Sequence, residues 1–232
     1  MKEADRVPPI KIIAHIRSDF PEKFGIPRQS GLVKELRARI VFVPEFRNPD
    51  ALRGIEGFSH LWLIWEFSQA IRDTWSPTVR PPRLGGNTRL GVFATRSPFR
   101  PNPIGLSSVR LLGTEQTEKE GTVLVVGGAD MMDGTPIFDI KPYVPYADSH
   151  PDAAGGFTDH SEDFLLTVHF PPELLAQVPE ANRPALLGVL EHDPRPPYQS
   201  DPKRIYGLDF AGCNIRFSVA DKILTVREVT PA

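Results

Sequence analysis

The 232-residue chain has little that would indicate a membrane protein or a disulfide-stabilised one. Its longest unbroken apolar run, Leu61 to Trp65, is far shorter than the roughly 20 residues of a membrane-spanning helix. The first nine residues lack the apolar stretch of a signal peptide. The single cysteine, Cys213, excludes an internal disulfide and a cysteine-cluster metal site, so we expect it to be a small packing residue. These absences predict a cytoplasmic protein without membrane contact.

The usual motifs of nucleotide and metal sites are also missing. No G-x-G-x-x-G follows a predicted strand, and the absence of any Gly-Lys pair excludes a P-loop. Six histidines occur without the spacing of metal ligands, so we expect no bound metal. Rossmann-type enzymes that methylate adenine hold the amine with an Asp/Asn-Pro-Pro-aromatic loop. The nearest string here, Arg195 to Tyr198, has a guanidinium where the acceptor should be, so that mechanism is excluded.

Charge is nearly balanced overall but unevenly distributed. The formal net charge of -2 argues against a surface coated with cations for bulk nucleic-acid binding. Six arginines and no acid lie between Thr74 and Thr114, whereas eight acids and one base, Lys141, lie between Asp130 and Asp163. Such a distribution suits a protein that holds an anionic polymer on one surface and performs chemistry at another.

Short apolar runs and abundant proline predict a chain made mostly of strands. The 25 prolines, about twice the usual share of roughly 5%, exclude an architecture of long helices. The predicted strands span Ile10 to Ile16, Ala38 to Val43, His60 to Phe67, Leu90 to Thr95, Gly105 to Leu112, Val123 to Val126 and Ile137 to Lys141. Strands that follow one another without helices favour an antiparallel sheet. A long sheet can close into a barrel, which removes its unpaired edge strands. We therefore predict a mainly β protein with a single-sheet antiparallel β-barrel.

The composition changes after the predicted barrel. Residues 144–163 are rich in Pro, Ala, Gly, Ser, Asp and His, which is typical of a linker or an exposed excursion. The remainder is predicted to contain strands at 164–170, 205–210, 214–219 and 223–229 and a helix at about 181–191. We therefore predict three regions: a barrel domain over 1–147, a linker or excursion over 148–163, and a small C-terminal α+β module over 164–232.

The segment from Arg80 to Leu112 has the features of an anion-binding loop. Gly85-Gly86-Asn87 can adopt positive φ and expose amide donors. Prolines at positions 98, 101 and 103 stiffen the loop, which presents Arg96, Arg100 and Asn102 at little ordering cost. A solvated arginine loop is the alternative. Guanidinium groups on a rigid loop favour a carboxylate or phosphate ligand instead.

Three carboxylates follow a predicted buried strand in the segment Gly127 to Tyr143. Asp130, Asp133 and Asp139 fall within ten residues. Such groups can accept hydrogen bonds from ribose hydroxyls, pair with the arginines, or act as a general base. The sequence alone leaves all three roles open.

Five strings of this sequence occur together in one protein family. They are EKFGIPRQSGL (22–32), GFSHLWLIWEFSQ (57–69), RPPRLGGNTRLGVFATRSPFRPNPIGLS (80–107), DGTPIFDIKPY (133–143) and DPRPPY (193–198). With them the chain resembles, over nearly its whole length, the TrmO family, also called TsaA-like or YaeB. The resemblance implies a homodimeric, S-adenosylmethionine-dependent tRNA methyltransferase built on a β-barrel. Its implied substrate is N6-threonylcarbamoyladenosine at position 37, beside the anticodon, which is methylated at N6.

The resemblance also implies which residues bind the cofactor. They are Ser30, Gly31, Leu32, Ser68, Gln69, Arg96, Leu106, Gly127, Gly128, Ala129 and Asp130. Ser68 stands where the family commonly has histidine, and Ser30 where it commonly has proline. A backbone contact survives either change, whereas a side-chain contact at position 68 does not.

The residue types are compatible with these assignments. Leu106 can line an apolar slot for adenine, Asp130 can accept from ribose hydroxyls, and Arg96 can bind the cofactor carboxylate. We predict that Asp133 is the general base. The residues predicted to hold the RNA are Arg100, Asn102, Lys141 and Arg195.

An RNA-binding barrel without catalysis is the alternative function, from another class of protein. Such a protein needs stacking aromatic residues among its cations. The basic stretch offers only Trp75, Phe93 and Phe99 for that purpose, which argues against this alternative. Binding of S-adenosylmethionine alone distinguishes the two functions, because a pure RNA binder does not bind it.

Overall fold

The chain is mainly β in a computed structural model that describes residues 9–81, 88–159, 165–196, 199 and 201–232. In chain order, the strands are β1 (Ala14–Arg17), β2 (Arg37–Phe42), β3 (His60–Glu66), β4 (Thr78–Val79), β5 (Leu90–Gly91), β6 (Ile104–Thr117), β7 (Gly121–Gly127), β8 (Pro136–Pro142), β9 (Thr167–His169), β10 (Tyr206–Phe210), β11 (Cys213–Ala220) and β12 (Ile223–Pro231). The α-helices are α1 (Pro145–Asp148), α2 (Pro172–Leu175) and α3 (Arg183–Glu191). None of the described helices is long and apolar enough to cross a membrane.

Six strands form one large antiparallel sheet, as the sequence predicts. Their order is β1-β2-β7-β6-β3-β8, and β8 pairs with β1 as well as with β3. Alternate residues of β3, namely Leu61, Leu63 and Trp65, are buried against an apolar core that includes Ile40 and Leu124. The period-two pattern of burial therefore places the indole of Trp65 on the inner face, near one end of the sheet.

The predicted strand from Leu90 to Thr95 is wrong after Gly91, and its first two residues lie outside the six-stranded sheet. β5 ends at Gly91, where it pairs with β4, and a 3₁₀ turn covers Val92–Ala94. Val92 is 1% exposed, and its N–H donates to the carbonyl of Pro77 over 2.9 Å. The chain turns to bury this one apolar side chain, so an alternating strand does not continue.

The C-terminal part forms a separate four-stranded sheet in the order β10-β11-β12-β9. β9 pairs with β12 in parallel, and the other neighbours are antiparallel. Helix α3 places Leu186 and Leu190 in the core of this sheet. Cys213 is buried in the same core, which confirms its prediction as a packing residue.

The core of the C-terminal sheet also takes in the segment between β1 and β2. The ring of Phe20 meets that of Phe210 edge-on at 5.1 Å between centroids. Val33 packs so closely on α3 that a Cβ at Gly188 would lie 2.7 Å from its Cγ1. Leu36 is buried in the same cluster. The second core is therefore built from residues near both ends of the chain.

Candidate functional site

The carboxyl group of Asp130 lies at the centre of a hydrogen-bonded network just beyond the end of β7. Ser107 Oγ donates to Asp130 Oδ1 over 2.6 Å, and Trp65 Nε1 donates to Ser107 Oγ over 3.0 Å. A backbone hydrogen bond from Ser30 and the charge of Arg96 also act on this carboxyl. Burial raises the pKa of Asp130 above the ordinary aspartate value, and the hydrogen bond from Ser107 is the largest opposing effect.

The pairing of β3 with β6 positions this network. Trp65 lies opposite Gly105, and Leu63 lies opposite Ser107. Trp65 is 6% exposed and Ser107 is 1% exposed, so both polar groups are satisfied inside the sheet. A Cβ at Gly105 would overlap the Trp65 ring, so only glycine leaves room for the indole at this position.

The substitution Gly105→Ala is expected to destabilise the protein by about 1–3 kcal/mol, because the added methyl displaces the Trp65 ring from a packed core. Urea unfolding measures the change. Gly57→Ala is the matched control, since a Cβ at Gly57 meets nothing within 4 Å. Equal stability of Gly105→Ala and the wild type would contradict the packing described here.

Two of the sequence segments predicted to hold the cofactor are in direct contact. The N–H of Gly31 donates to the carbonyl of Gly128 over 2.8 Å, and the N–H of Gly128 donates to the carbonyl of Leu36 over 2.9 Å. Gly128 has φ +73°, and a Cβ there would lie 3.1 Å from the Cα of Gly31. The two glycines therefore allow segments 30–32 and 127–130 to approach backbone to backbone.

Arg96, Gln69 and Leu106 come from other segments of the chain at the same end of the six-stranded sheet. Arg96 Nη1 donates to Gln29 Oε1. Gln69 Nε2 donates to the sulfur of Met132 over 3.2 Å. Met132 follows Asp130 by two residues in the chain. Leu106 is 58% exposed, although its neighbours along β6 are buried. This end of the sheet thus combines a carboxylate, a guanidinium group and an exposed apolar side chain.

Ser68 follows β3 in a 3₁₀ turn at Ser68–Ala70 and is half-buried. The N–H of Ala70 donates to the carbonyl of Phe67 over 2.8 Å and fixes this turn. Gln69 in the same turn is exposed. The turn therefore lies at the end of β3 that carries Trp65.

The arginine loop is braced by one of the residues predicted to bind RNA. Arg100 Nη1 donates to the carbonyls of Thr95 and Ser97 over 3.1 and 3.4 Å. Asn102 is exposed, and its carbonyl accepts from the N–H of Ile104 over 2.7 Å. The predicted amide donors at positions 85–87 lie outside the described residues. Arg100 thus helps to hold the loop that presents Arg96.

The other two residues predicted to bind RNA each pair with an acid. Lys141 Nζ lies 3.0 Å from Asp139 Oδ2, and 62% of the Lys141 side chain is exposed. Arg195 binds Asp193 with two nitrogens, at 2.8 and 2.9 Å, and its side chain is only 14% exposed. The ammonium group of Lys141 is therefore accessible to a ligand, whereas the guanidinium group of Arg195 is mostly buried in its pair with Asp193. A phosphate contact from Arg195 stays a prediction.

Asp133, the predicted general base, is not part of the hydrogen-bonded network of Asp130. Its Oδ1 accepts from the N–H of Ser18 over 3.1 Å, and its Oδ2 lies 3.6 Å from a nitrogen of Arg17. Asp133 lines an open cleft of about 320 Å³ together with Asp19 and the turn between β10 and β11. Burial and the negative charge of Asp133 raise the pKa of Asp19.

The described residues contain no group of three potential metal ligands, and the expected absence of a metal stays a prediction.

Sequence reasoning missed Ser107, Trp65 and Gln29 as neighbours of the site. Ser107 could have been found from the sequence, because it lies two residues from Val109 in the same strand. Both side chains therefore face the core. A serine that faces the core needs a hydrogen-bond partner. The identity of that partner depends on the pairing of β6 with β3 and β7, which the sequence does not state.

Comparison with known proteins gives the relatives of this chain. The family models "tRNA-methyltransferase O N-terminal domain" and "TrmO C-terminal domain" match residues 15–149 and 164–232. A tRNA (adenine(37)-N6)-methyltransferase of Escherichia coli K12 is 42% identical over 227 residues, covering 94% of this chain and 96% of that protein. A putative S-adenosylmethionine-dependent methyltransferase, RcsF of Pseudomonas aeruginosa, is 46% identical over 206 residues, covering 84% and 86%. A crystal structure of TrmO from Pseudomonas aeruginosa matches with a TM-score of 0.78 at 34% identity, covering 97% and 100%.

Proposed function

The chain belongs to the TrmO family, and from this premise we propose that it is an S-adenosylmethionine-dependent tRNA methyltransferase acting on N6 at position 37. The specific substrate proposed is N6-threonylcarbamoyladenosine. The observation that carries the proposal is the contact between segments 30–32 and 127–130, in which Gly31 binds the backbone of Gly128 and Ser30 lies beside the carboxyl of Asp130. Two of the segments proposed for the cofactor thus come together from distant parts of the sequence.

The groups at this end of the sheet fit S-adenosylmethionine. Asp130 offers a partly buried hydrogen-bond acceptor for the ribose hydroxyls. The guanidinium group of Arg96 can bind the carboxylate of the cofactor. The exposed side chain of Leu106 offers an apolar surface for adenine. When bound, the cofactor supplies a methyl group on a sulfonium centre. The protein's task is then mainly to align the methyl donor with the nitrogen that accepts it.

Removal of the accepting nitrogen's proton requires a base, for which we propose Asp133. Its side chain is 40% exposed, so a substrate can reach it. The carboxyl of Asp130 instead accepts from Ser107 and adjoins the residues proposed for the cofactor. The two carboxylates are therefore assigned different tasks: Asp130 holds the cofactor, and Asp133 accepts the proton.

We propose that the RNA contacts the basic loop and the neighbouring surface through Arg100, Asn102, Lys141 and Arg195. The exposed positions of Asn102 and Lys141 support this assignment. The alternative of a non-catalytic RNA-binding barrel makes no use of the Asp130 network. Calorimetry with S-adenosylmethionine alone separates the two, because the alternative predicts no heat of binding.

The proposed architecture has three regions: a closed barrel domain over 1–147, an excursion over 148–163 and a C-terminal module over 164–232. The pairing of β8 with both β3 and β1 supports the barrel, and the separate sheet of β9 to β12 supports the module, whose core also takes in Phe20, Val33 and Leu36. A homodimer in the cytoplasm is part of the same proposal, and its support is the family to which the chain belongs. Sedimentation of the purified protein tests the dimer.

The function is tested by incubating the full chain with S-adenosylmethionine and tRNA that carries threonylcarbamoyl at adenosine 37. Mass spectrometry of the digested RNA is expected to show one added methyl group on that nucleoside. In cells, the methylated nucleoside is expected to disappear from the tRNA of a deletion strain. Its persistence in that strain would contradict the proposed function.

Removal of the Arg96 guanidinium is expected to weaken cofactor binding by about 10- to 100-fold, because a charge-assisted hydrogen bond contributes about 1.5–3 kcal/mol. Calorimetry of Arg96→Ala with S-adenosylmethionine measures the effect. Arg89→Ala is the control, since Arg89 is also exposed near this loop but donates to Thr78 Oγ1. If folded Arg96→Ala binds the cofactor as tightly as the wild type, Arg96 is not part of the site.

A further inference from the structure

Two large aromatic side chains lie together in solvent outside the candidate site. Trp75 is 52% exposed and Phe93 is 73% exposed. Their ring centroids are 6.1 Å apart, and the ring planes are inclined by 35°. Such a pair leaves two neighbouring aromatic faces open to water, where a ligand with a flat ring can cover them.

The short ribbon of β4 and β5 holds this ring pair in place. Thr78 pairs with Gly91, and the N–H of Val92 donates to the carbonyl of Pro77. Trp75 precedes the ribbon and Phe93 follows it, so the backbone pairing brings the two rings together. The surface is therefore positioned by the fold before any ligand arrives, and little ordering cost remains for binding.

The charges around the ring pair match an anionic ligand. Arg72, Arg80 and Arg89 are exposed on the same part of the chain. Asp73 is the single acid between Phe67 and Leu112. An uncharged apolar partner would gain nothing from these cations, whereas a polyanion with flat aromatic groups would use both the cations and the rings.

Phe99, the third aromatic residue of the basic stretch, has another role. The guanidinium of Arg72 lies 3.8 Å from its ring centroid, and the ammonium group of Lys23 lies 5.7 Å from it. Its faces are thus used to hold cations on the surface. Among these three aromatic residues, Trp75 and Phe93 are the ones whose rings are largely open to a base.

The ring pair is close to the site at which the adenosine would react. Phe93 precedes Arg96 by three residues, so their Cα atoms are at most about 11 Å apart. Arg96 in turn contacts Gln29 and acts on Asp130. A base stacked on the ring pair therefore flanks, rather than replaces, the reacting nucleoside.

We propose that Trp75 and Phe93 form a stacking surface for an unpaired base next to the reacting adenosine in the RNA. Single-stranded loops are recognised by stacking of splayed bases on aromatic rings, with arginines on the backbone phosphates. This proposal rests on the proposed function, since it describes how the same site holds its RNA substrate.

The test compares the full-length double variant Trp75→Ala/Phe93→Ala with the wild type. Its affinity for tRNA is expected to fall by about 5- to 150-fold, the effect of losing one stacked base. Cofactor affinity is expected to stay unchanged. The double variant is expected to keep the salt dependence of RNA binding, because aromatic rings release no counterions. Arg89→Ala is expected to reduce the slope of log affinity against log salt concentration by about one.

Two matched variants separate stacking from a general loss of exposed aromatic area. Trp75→Phe keeps a ring and is expected to retain most of the affinity in the otherwise native chain. Tyr146→Ala removes a ring that is 93% exposed but follows β8, and it is expected to leave RNA affinity unchanged. Equal RNA affinity of the double variant and the wild type would overturn the proposal.

A contact between two copies of this chain is the competing use of the ring pair. Sedimentation of the double variant identifies it: if the variant dissociates and its RNA affinity recovers at concentrations where the oligomer re-forms, the surface is a subunit contact and the stacking proposal is wrong. Failure of the proposed function has a different signature. In that case the wild type transfers no methyl group to the RNA, whatever the double variant does to RNA affinity.

Discussion

Transfer RNA with N6-threonylcarbamoyladenosine at position 37 is expected to be methylated at least about 100-fold faster than the same RNA with plain adenosine. The amine of plain adenine donates its lone pair into the ring and is a poor nucleophile. Enzymes that methylate this amine hold it with well-placed acceptors. At the position where such a loop would provide one, this chain has Arg195, which binds Asp193 and can only donate.

The threonylcarbamoyl group changes the acceptor in two ways. It turns N6 into a urea-type N–H, whose proton is more acidic and can pass to a carboxylate such as Asp133. It also brings a carboxylate of its own, which the exposed Lys141 or the remaining N–H groups of Arg100 can bind. A tritium-methyl assay on the two RNAs measures the difference. Comparable turnover on both would refute this account of the acceptor even if the enzyme class is right.

Asp130→Asn is expected to weaken binding of S-adenosylmethionine by about 10- to 100-fold, because hydrogen bonds to an ionised carboxylate are stronger than those to an amide. The variant is expected to fold as stably as the wild type. Burial raises the pKa of Asp130, so the ionised group costs folding free energy at neutral pH, and a neutral side chain of the same shape removes that cost. Calorimetry and urea unfolding measure the two effects.

The pH dependence gives a second measurement of the same group. Ionised Asp130 is the form that accepts hydrogen bonds, so wild-type cofactor affinity should fall as the pH is lowered through its raised pKa. This fall should begin at a higher pH than it would for an ordinary aspartate, and Asp130→Asn should not show it. Asp133→Asn is the control: cofactor affinity is expected to persist while kcat falls. If Asp130→Asn retains full affinity, Asp130 does not contact the cofactor.

The sequence predicts the elements that carry a sustained run of apolar residues, although β3 buries alternate residues rather than both faces. His60 to Phe67 was predicted as a strand, and β3 covers His60–Glu66. The helix expected at about 181–191 is α3 at Arg183–Glu191. The strand prediction at Leu90 to Thr95 is wrong for a local reason. The chain forms a turn that buries one valine, although the β-branched and aromatic residues there are typical of a strand. Periodicity reports which side of an element is buried, and it is weak where a segment buries a single side chain.

The site was predictable only in part, for a different reason. The resemblance selected segments 30–32 and 127–130, and the backbone bond between Gly31 and Gly128 brings them together. The link from Trp65 through Ser107 to Asp130 depends on which residues of β3 and β6 face each other. That register is a property of the folded sheet, and a slip of one residue would turn Ser107 away from the core.

The packing of Phe20 on Phe210 joins residues about 190 positions apart in the chain, and it sets an order of events during synthesis. Segment 20–36 leaves the ribosome early, but its apolar partners in β10, β11 and β12 are made last. Contacts of such long sequence separation form late, and until then the segment exposes apolar surface to chaperones. Gly31 lies within this segment. The contact between Gly31 and Gly128, for which we propose a role in cofactor binding, is therefore expected to form only after the C-terminal sheet.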